Sequence, residues 1–95
     1  MDINFNFDHS LLSIVDLQSI GIRSTRVVEE AFYDSTGKLI EIEEKAGENR
    51  VFFSIGFSND MRPIKSTFEL KDETLLTLET AIMDKADIKN YYCGQ

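Results

Sequence analysis

A chain of 95 residues, 42% apolar and 28% charged, has the make-up of one globular domain. At that length about 60–65% of the unfolded surface is buried on folding, so there is room for one modest core and not two. The net charge of −7 disfavours stand-alone nucleic-acid binding, because an acidic field repels phosphate.

Residues 3 to 7 alternate, with Ile3, Phe5 and Phe7 on one side and Asn4 and Asn6 on the other, which predicts a half-buried strand. Asp8 or Ser10 then caps a helix, since either side chain can accept a free backbone N–H. Leu11, Ile14, Val15 and Gln18 fall on one face of that helix, with Leu17 beside them. Gly21 ends it as a left-handed C-cap. A second helix opens at Ser24 and carries Val27, Val28, Ala31 and Phe32 at helical spacing. Asp34-Ser35-Thr36-Gly37 is a turn.

From here the period changes from 3.6 to 2. Leu39 to Glu44 reads as a strand, with Ile40 and Ile42 opposite Glu41 and Glu43. Ala46 to Asn49 turns the chain. Val51, Phe53, Ile55 and Phe57 form the apolar face of the next strand, expected beneath the two helices. Phe52 breaks the alternation, which implies a bulge or an exposed aromatic, and Gly56 implies a bulge or a close backbone approach. After a turn at Ser58-Asn59-Asp60, a strand places Ile64, Phe68 and Leu70 opposite Lys65, Thr67 and Glu69. Lys71-Asp72-Glu73 turns again. Leu76, Leu78 and Ile82 line a last strand. Asp84 caps a closing helix with Asp87 at its third position, and Ile88, Tyr91 and Tyr92 share a face of it.

The expected order is β-α-α-β-β-β-β-α. Short turns make the later strands an antiparallel meander, and the two leading helices cover its apolar face, giving a two-layer α+β domain. One proline and five glycines argue against a linker-rich or disordered chain. The lone cysteine, Cys93, can form no internal disulfide, which fits a reducing compartment. The opening MDINFNFD has no basic leader region, and no apolar run approaches the roughly 20 residues that span a bilayer. The expectation is a cytoplasmic protein with no membrane segment.

Catalytic signals are sparse. His9, the single histidine, sits at a strand-to-helix junction where a general base or a capping side chain would serve, and the second is the commoner use. Cys93 is the third residue from the C-terminal end, a setting that rarely activates a thiolate. With one histidine and one cysteine, a metal would need carboxylates, and none follow a calcium-loop spacing. Glu43 and Glu44 point to opposite sides of a strand, and Glu29 and Glu30 diverge on a helix, so neither pair is a catalytic dyad. No cofactor is implied. The basic residues Arg23, Arg26, Arg50, Arg62, Lys65, Lys71, Lys85 and Lys89 are scattered, although Arg50, Arg62 and Lys65 could meet on the wet face of one hairpin. Between Glu29 and Glu48, seven acids stand against two lysines. Such a strip is either a solvated face or a surface for a basic protein partner.

Several motifs together resemble the BrnT toxins, within the RelE/ParE-like superfamily. Phe5-Asn6-Phe7-Asp8 is similar to the family's aromatic-x-aromatic-Asp start, and Gly21-Ile22 to the Gly-Val or Gly-Ile after its first helix. Glu29-Glu30-Ala31-Phe32, followed by Asp34, resembles its second helix and the turn after it. Glu48-Asn49-Arg50 with Ile55-Gly56-Phe57-Ser58 matches a segment with Glu, Arg and Ile-Gly-x-Ser, and Ala81 and Tyr91 match positions near the end. The resemblance implies a RelE-like fold and a ribonuclease neutralised by an antitoxin. The chain departs from the pattern at the catalytic positions. Thr80-Ala81-Ile82 replaces Ser-Ala-Arg, the family's arginine in the turn before the last strand falls near Asp72, and Lys-His becomes Ser19-Ile20.

Ribonuclease chemistry without metal needs proton-transfer groups and cations, each worth about 10²–10⁴ in rate. Arg50, Arg62, Lys65 and Tyr91 are the remaining catalytic candidates. The expectation is therefore a toxin-family scaffold acting by protein binding. Its partner-binding residues would be Glu29, Glu30, Glu41, Glu43 and Glu44, with Phe52 and Tyr92 as exposed aromatic anchors. The partner would be a basic protein, an antitoxin or a nuclease, and a homodimer is also compatible. The rival readings are an active endoribonuclease toxin and an acidic immunity protein that plugs a basic nuclease.

Overall fold

A computed structural model of the chain describes residues 6–42 and 50–93. The elements run β1 (Asn6–Asp8), α1 (Ile14–Ser19), α2 (Thr25–Phe32), β2 (Lys38–Glu41), β3 (Arg50–Phe57), β4 (Pro63–Lys71), β5 (Thr74–Ile82) and α3 (Lys85–Cys93). This is the expected order and an α+β fold. The five strands form one mixed sheet in the order β1-β5-β4-β3-β2. β2 to β5 pair antiparallel as a meander, and β1 adds in parallel to β5. Ile3 to Phe5, the turn at Ala46 to Asn49, and Glu43, Glu44 and Glu48 lie outside the described residues.

α1 is shorter than its sequence pattern suggests. It starts at Ile14, capped by Ser13, whose Oγ accepts from Asp16 N at 3.3 Å. Asp8, expected as a cap, instead accepts from Ser10 N at 2.9 Å in the turn before the helix. The expected apolar face is also turned outward. Leu11 is 61% exposed and Val15 75%, and Leu17 is the buried residue. Gly21 explains the reversal. Its φ of 88° is left-handed, Gly21 N donates to Gln18 O at 3.1 Å, and Ile22 N donates to Leu17 O at 2.9 Å. This paired C-cap brings Leu17 and Ile22 together, and both enter the core with Val27, Ala31 and Ile64.

α2 begins after Ser24 as expected and buries Val27, Val28 and Ala31. The face of β3 beneath it is not the expected one. Phe52, Ser54 and Gly56 face α2, while Val51, Phe53, Ile55 and Phe57 face the other way. Phe52 is 9% exposed and packs with Val28, Phe68 and Leu75, so it is no surface anchor. A Cβ at Gly56 would overlap the carbonyl oxygen of Ala31 and come within 3.0 Å of Asp34 Cβ. The helix backbone approaches the sheet here, and only a residue without a side chain fits. The sizes taper along one face from Phe52 through Ser54 to Gly56.

β3 runs against β4 without a break, from Arg50↔Leu70 to Phe57↔Pro63. The irregularity lies between β4 and β5, where Thr67 pairs Glu79 but Phe68 pairs Thr77. Leu78 is the extra residue, and it reverses which side chains of β5 reach the core. Leu75 is fully buried under α2, and Leu76, Leu78 and Ile82 are not.

α3 covers part of the second face. Its start is a reciprocal cap: Asp87 N donates to Asp84 Oδ1 at 2.9 Å, and Asp84 N donates to Asp87 Oδ2 at 3.1 Å. The hydrogen bond from Asp87 N leads the influences that hold the Asp84 carboxyl below its ordinary range. Lys65 Nζ pairs with Asp87 at 3.2 Å and lies 5.0 Å from the centre of the Phe53 ring. Two-sided cover is why apolar alternation in β3 and β5 did not identify the α2 face.

Candidate functional site

The C-terminal end of α2 is built around Asp34. Its carboxylate accepts from Phe57 N at 2.8 Å, Thr36 N at 3.0 Å, Thr36 Oγ1 at 3.0 Å and Tyr91 OH at 2.7 Å. Tyr91 OH also meets Thr36 Oγ1. Burial is the largest single influence on Asp34 and opposes ionisation, but the hydrogen bonds together outweigh it and hold the carboxyl below the usual aspartate range. Burial, first, pushes the Tyr91 hydroxyl above its ordinary value. The turn, the end of β3 and α3 are thus fastened at one carboxylate.

A concavity of about 690 Å³ opens beside this hub. Tyr33, Phe57, Met61 and Tyr91 supply ring and thioether surface, and Glu29, Glu30 and Asp34 supply carboxylates against one guanidinium, Arg26. Glu30 accepts from Asn59 N at 3.0 Å, which holds the Ser58–Arg62 loop against α2. Tyr92, 67% exposed, stacks edge-on with Tyr91 at 5.0 Å at the outer side of α3.

A second concavity of about 520 Å³ shares Arg26, Glu30 and Asn59 with the first, so the two abut. It lies at the N-terminal end of α2 and adds Arg23, Ser24, Val27 and Asp60. Asp60 takes a hydrogen bond from Ser58 Oγ and an ion pair with Arg62 at 3.7 Å. The Ser58 bond first, with Arg62 and Arg23 adding, holds its carboxyl below the usual range. Arg62 also lies against Gly21, where a Cβ would meet Nη1 at 2.8 Å.

The charges along α2 therefore run against the helix dipole. Arg23 and Arg26 stand at its positive N-terminal end, while Glu29, Glu30 and Asp34 stand at its negative C-terminal end. No acid occupies the first turn and no base the last. Each such placement costs about 0.3–1 kcal/mol at low ionic strength. The Arg26–Glu30 pair does little to offset this, because it is long at 3.7 Å, Arg26 is 85% exposed, and Arg before Glu is the less favourable order at i, i+4.

The catalytic candidates do not converge. Arg50 pairs with Glu41 at 3.1 Å at the edge of the sheet, and Arg50 in turn holds Glu41 below its ordinary range. Lys65 faces the opposite side of the sheet with Asp87, and Arg62 sits in the loop with Asp60. The expected basic spot of Arg50, Arg62 and Lys65 is thus dispersed, because odd and even positions of paired strands face apart. The arginines that do come close are Arg23, Arg26 and Arg62. Of the expected partner-binding acids, Glu29 and Glu30 line the large concavity, while Glu41 lines a separate hollow of about 170 Å³ with Leu39, Arg50 and Phe52.

His9 makes a three-residue line. Glu29 Oε2 lies 2.8 Å from Nε2, and Thr77 Oγ1 lies 2.9 Å from Nδ1. A carboxylate can only accept, so Nε2–H donates to Glu29; in the neutral imidazole Nδ1 then accepts the Thr77 hydroxyl proton. The order carboxylate–imidazole–hydroxyl matches a hydrolase triad in outline. However, Thr77 has no exposed surface, and the line ties β1, α2 and β5 together rather than presenting a nucleophile. The Cys93 side chain lies outside the described residues.

Among the described residues no group of three or more His, Cys, Asp or Glu is placed to hold a metal ion, and no helix is long and apolar enough to cross a membrane. No protein-family model, no curated protein and no solved structure matches this chain.

Proposed function

We propose that this chain is a protein-binding module of toxin–antitoxin type, a BrnT- and RelE-like scaffold without most of a ribonuclease's catalytic groups. It receives a lysine- or arginine-bearing segment of a basic partner. The observation that carries this reading is the concavity beside Asp34, where three carboxylates and the rings of Tyr33, Phe57 and Tyr91 face one guanidinium. Aromatic faces and carboxylates together suit a cation with an apolar stem. The dispersal of Arg50, Arg62 and Lys65 speaks for binding over RNA cleavage, and the element order agrees with the layout that the resemblance implies.

Titration of the purified protein with a lysine-rich decapeptide tests the reading. Binding is expected to weaken steeply with salt. A Tyr33→Ala, Glu30→Gln double variant is expected to lose at least tenfold in affinity. Expression of the wild type in bacteria is expected to leave growth unchanged. Growth arrest that Arg50→Ala relieves would instead establish the nuclease.

A further inference from the structure

The large acidic concavity accounts for only part of the surface along α2. The adjoining hollow at the N-terminal end carries Arg23 and Arg26 and meets the first at Arg26, Glu30 and Asn59. Along the trough they form, the first hollow is thus net acidic, while the second sets the guanidinium groups of Arg23 and Arg26 beside two carboxylates, Glu30 and Asp60, that are already engaged by Asn59 N and by Ser58 and Arg62. The dipole of α2 adds to both ends, since its N-terminus is positive and its C-terminus negative. Charges set against a helix dipole lower helix stability; Glu29, Glu30 and Asp34 offset this with ties to His9, Asn59 and Phe57, whereas Arg26 is 85% exposed in a long pair with Glu30 and secures nothing comparable. Departures from a local rule of this kind concentrate where a surface has another use.

We propose that the trough binds an extended segment of a partner protein that carries both signs of charge. A lysine or arginine would occupy the hollow between Tyr33 and Tyr91, and an aspartate or glutamate further along would face Arg23 and Arg26. The segment's own charge order is thereby fixed relative to α2. This deepens the reading of a basic-segment receptor and rests on it.

Charge complementarity identifies the occupant. A purely basic segment leaves Arg23 and Arg26 facing like charge, which is repulsive. A second copy of this chain matches in charge when the two α2 helices run antiparallel, but two concave surfaces do not fill one another. An extended segment fills the trough.

The test uses synthetic decapeptides observed by amide chemical shifts and by titration. One set carries a single lysine and a single glutamate at separations of three to six residues. The control carries the lysine with glutamine in place of glutamate. The best two-charge peptide is expected to bind at least fivefold more tightly than the control. It should shift amides at both Tyr33 and Arg26, where the control shifts only the Tyr33 end. An Arg23→Gln variant, altered outside the lysine's hollow, should remove most of the fivefold advantage and leave the control's affinity unchanged.

Equal affinity for the two peptides, with shifts confined to the Tyr33 end, overturns the two-charge trough but leaves the basic-segment receptor standing. Failure of every lysine peptide to bind overturns both. Sedimentation showing a dimer that Arg23→Gln dissociates assigns the trough to a second copy and also overturns the proposal.

Discussion

The two faces of the sheet are held by different forces. Under α2 the contact is apolar and close: Phe68 and Leu75 are fully buried, and the helix backbone rests on Gly56. Under α3 the contact is mixed: Tyr91 packs edge-on against Phe57 at 5.0 Å, and polar ties join Asp87 to Lys65 and Tyr91 to Asp34. Apolar burial is worth roughly 25 cal/mol per Å² and is lost cooperatively. Hydrogen bonds are worth about 0.5–1.5 kcal/mol net and can be exchanged for water one at a time. The α2 face should therefore behave as the folding core and α3 as an attachment that opens on its own.

The largest expected effect lies on the α2 side. Phe68→Ala is expected to destabilise by about 3–5 kcal/mol, since the ring is fully buried among Val28, Phe52 and Leu75. Gly56→Ala should cost about 1–3 kcal/mol, because the new methyl meets the Ala31 carbonyl and the helix must shift. Urea unfolding followed by circular dichroism measures both. A change below about 1 kcal/mol for Phe68→Ala would show that α2 does not seal this face.

The next effect is acid release of α3. The Asp34 carboxyl is held below its ordinary range in the folded chain, so its contribution is fully present above about pH 3.9, the unfolded value. That contribution is lost as pH falls through the lower folded value. Protonation removes the charge that Tyr91, Thr36 and Phe57 N–H bond to, and α3 should lose exchange protection before the strands do. Tyr91→Phe should lower α3 protection at neutral pH by about 1 kcal/mol and reduce its dependence on pH. Simultaneous loss of α3 and β4 protection on acidification would erase the distinction between the faces.

How much of this was legible in sequence depended on whether a signal was local. Gly21 as a C-cap, Ser24 as the start of α2, and Asp84 with Asp87 as a cap each depend on neighbours within a few residues, and each appears as expected. The α2 face of β3 was misassigned because both faces carry apolar residues. The small Ser54 and Gly56 were the better clue, since they mark where a helix backbone comes near. In the site, Glu29, Glu30 and Tyr91 were visible as candidates. Asp34 read only as a turn residue, because its bonds to Phe57 and Tyr91 span 23 and 57 positions. The run Arg23-Ser-Thr-Arg26-Val-Val-Glu29-Glu30 held the reversed helix polarity in plain view. Its meaning needed the adjoining hollows.

The smallest expected effect separates the two faces most cleanly. The β4–β5 turn places Asp72 at φ 52° and Glu73 at φ 69°, the two positive values of a type I′ hairpin. A glutamate pays a steric cost there that glycine does not, whereas glycine adds freedom to the unfolded chain. Relief of the strain should dominate, so Glu73→Gly should stabilise the sheet by about 0.5–1 kcal/mol. Hydrogen exchange then distinguishes two cases. If α3 opens as a separate unit, amides of β4 and β5 gain that protection and amides of α3 gain none, because the turn lies outside the α3 equilibrium. If all amides gain equally, the polar ties of α3 are part of one cooperative fold, and the hub at Asp34 does not act alone.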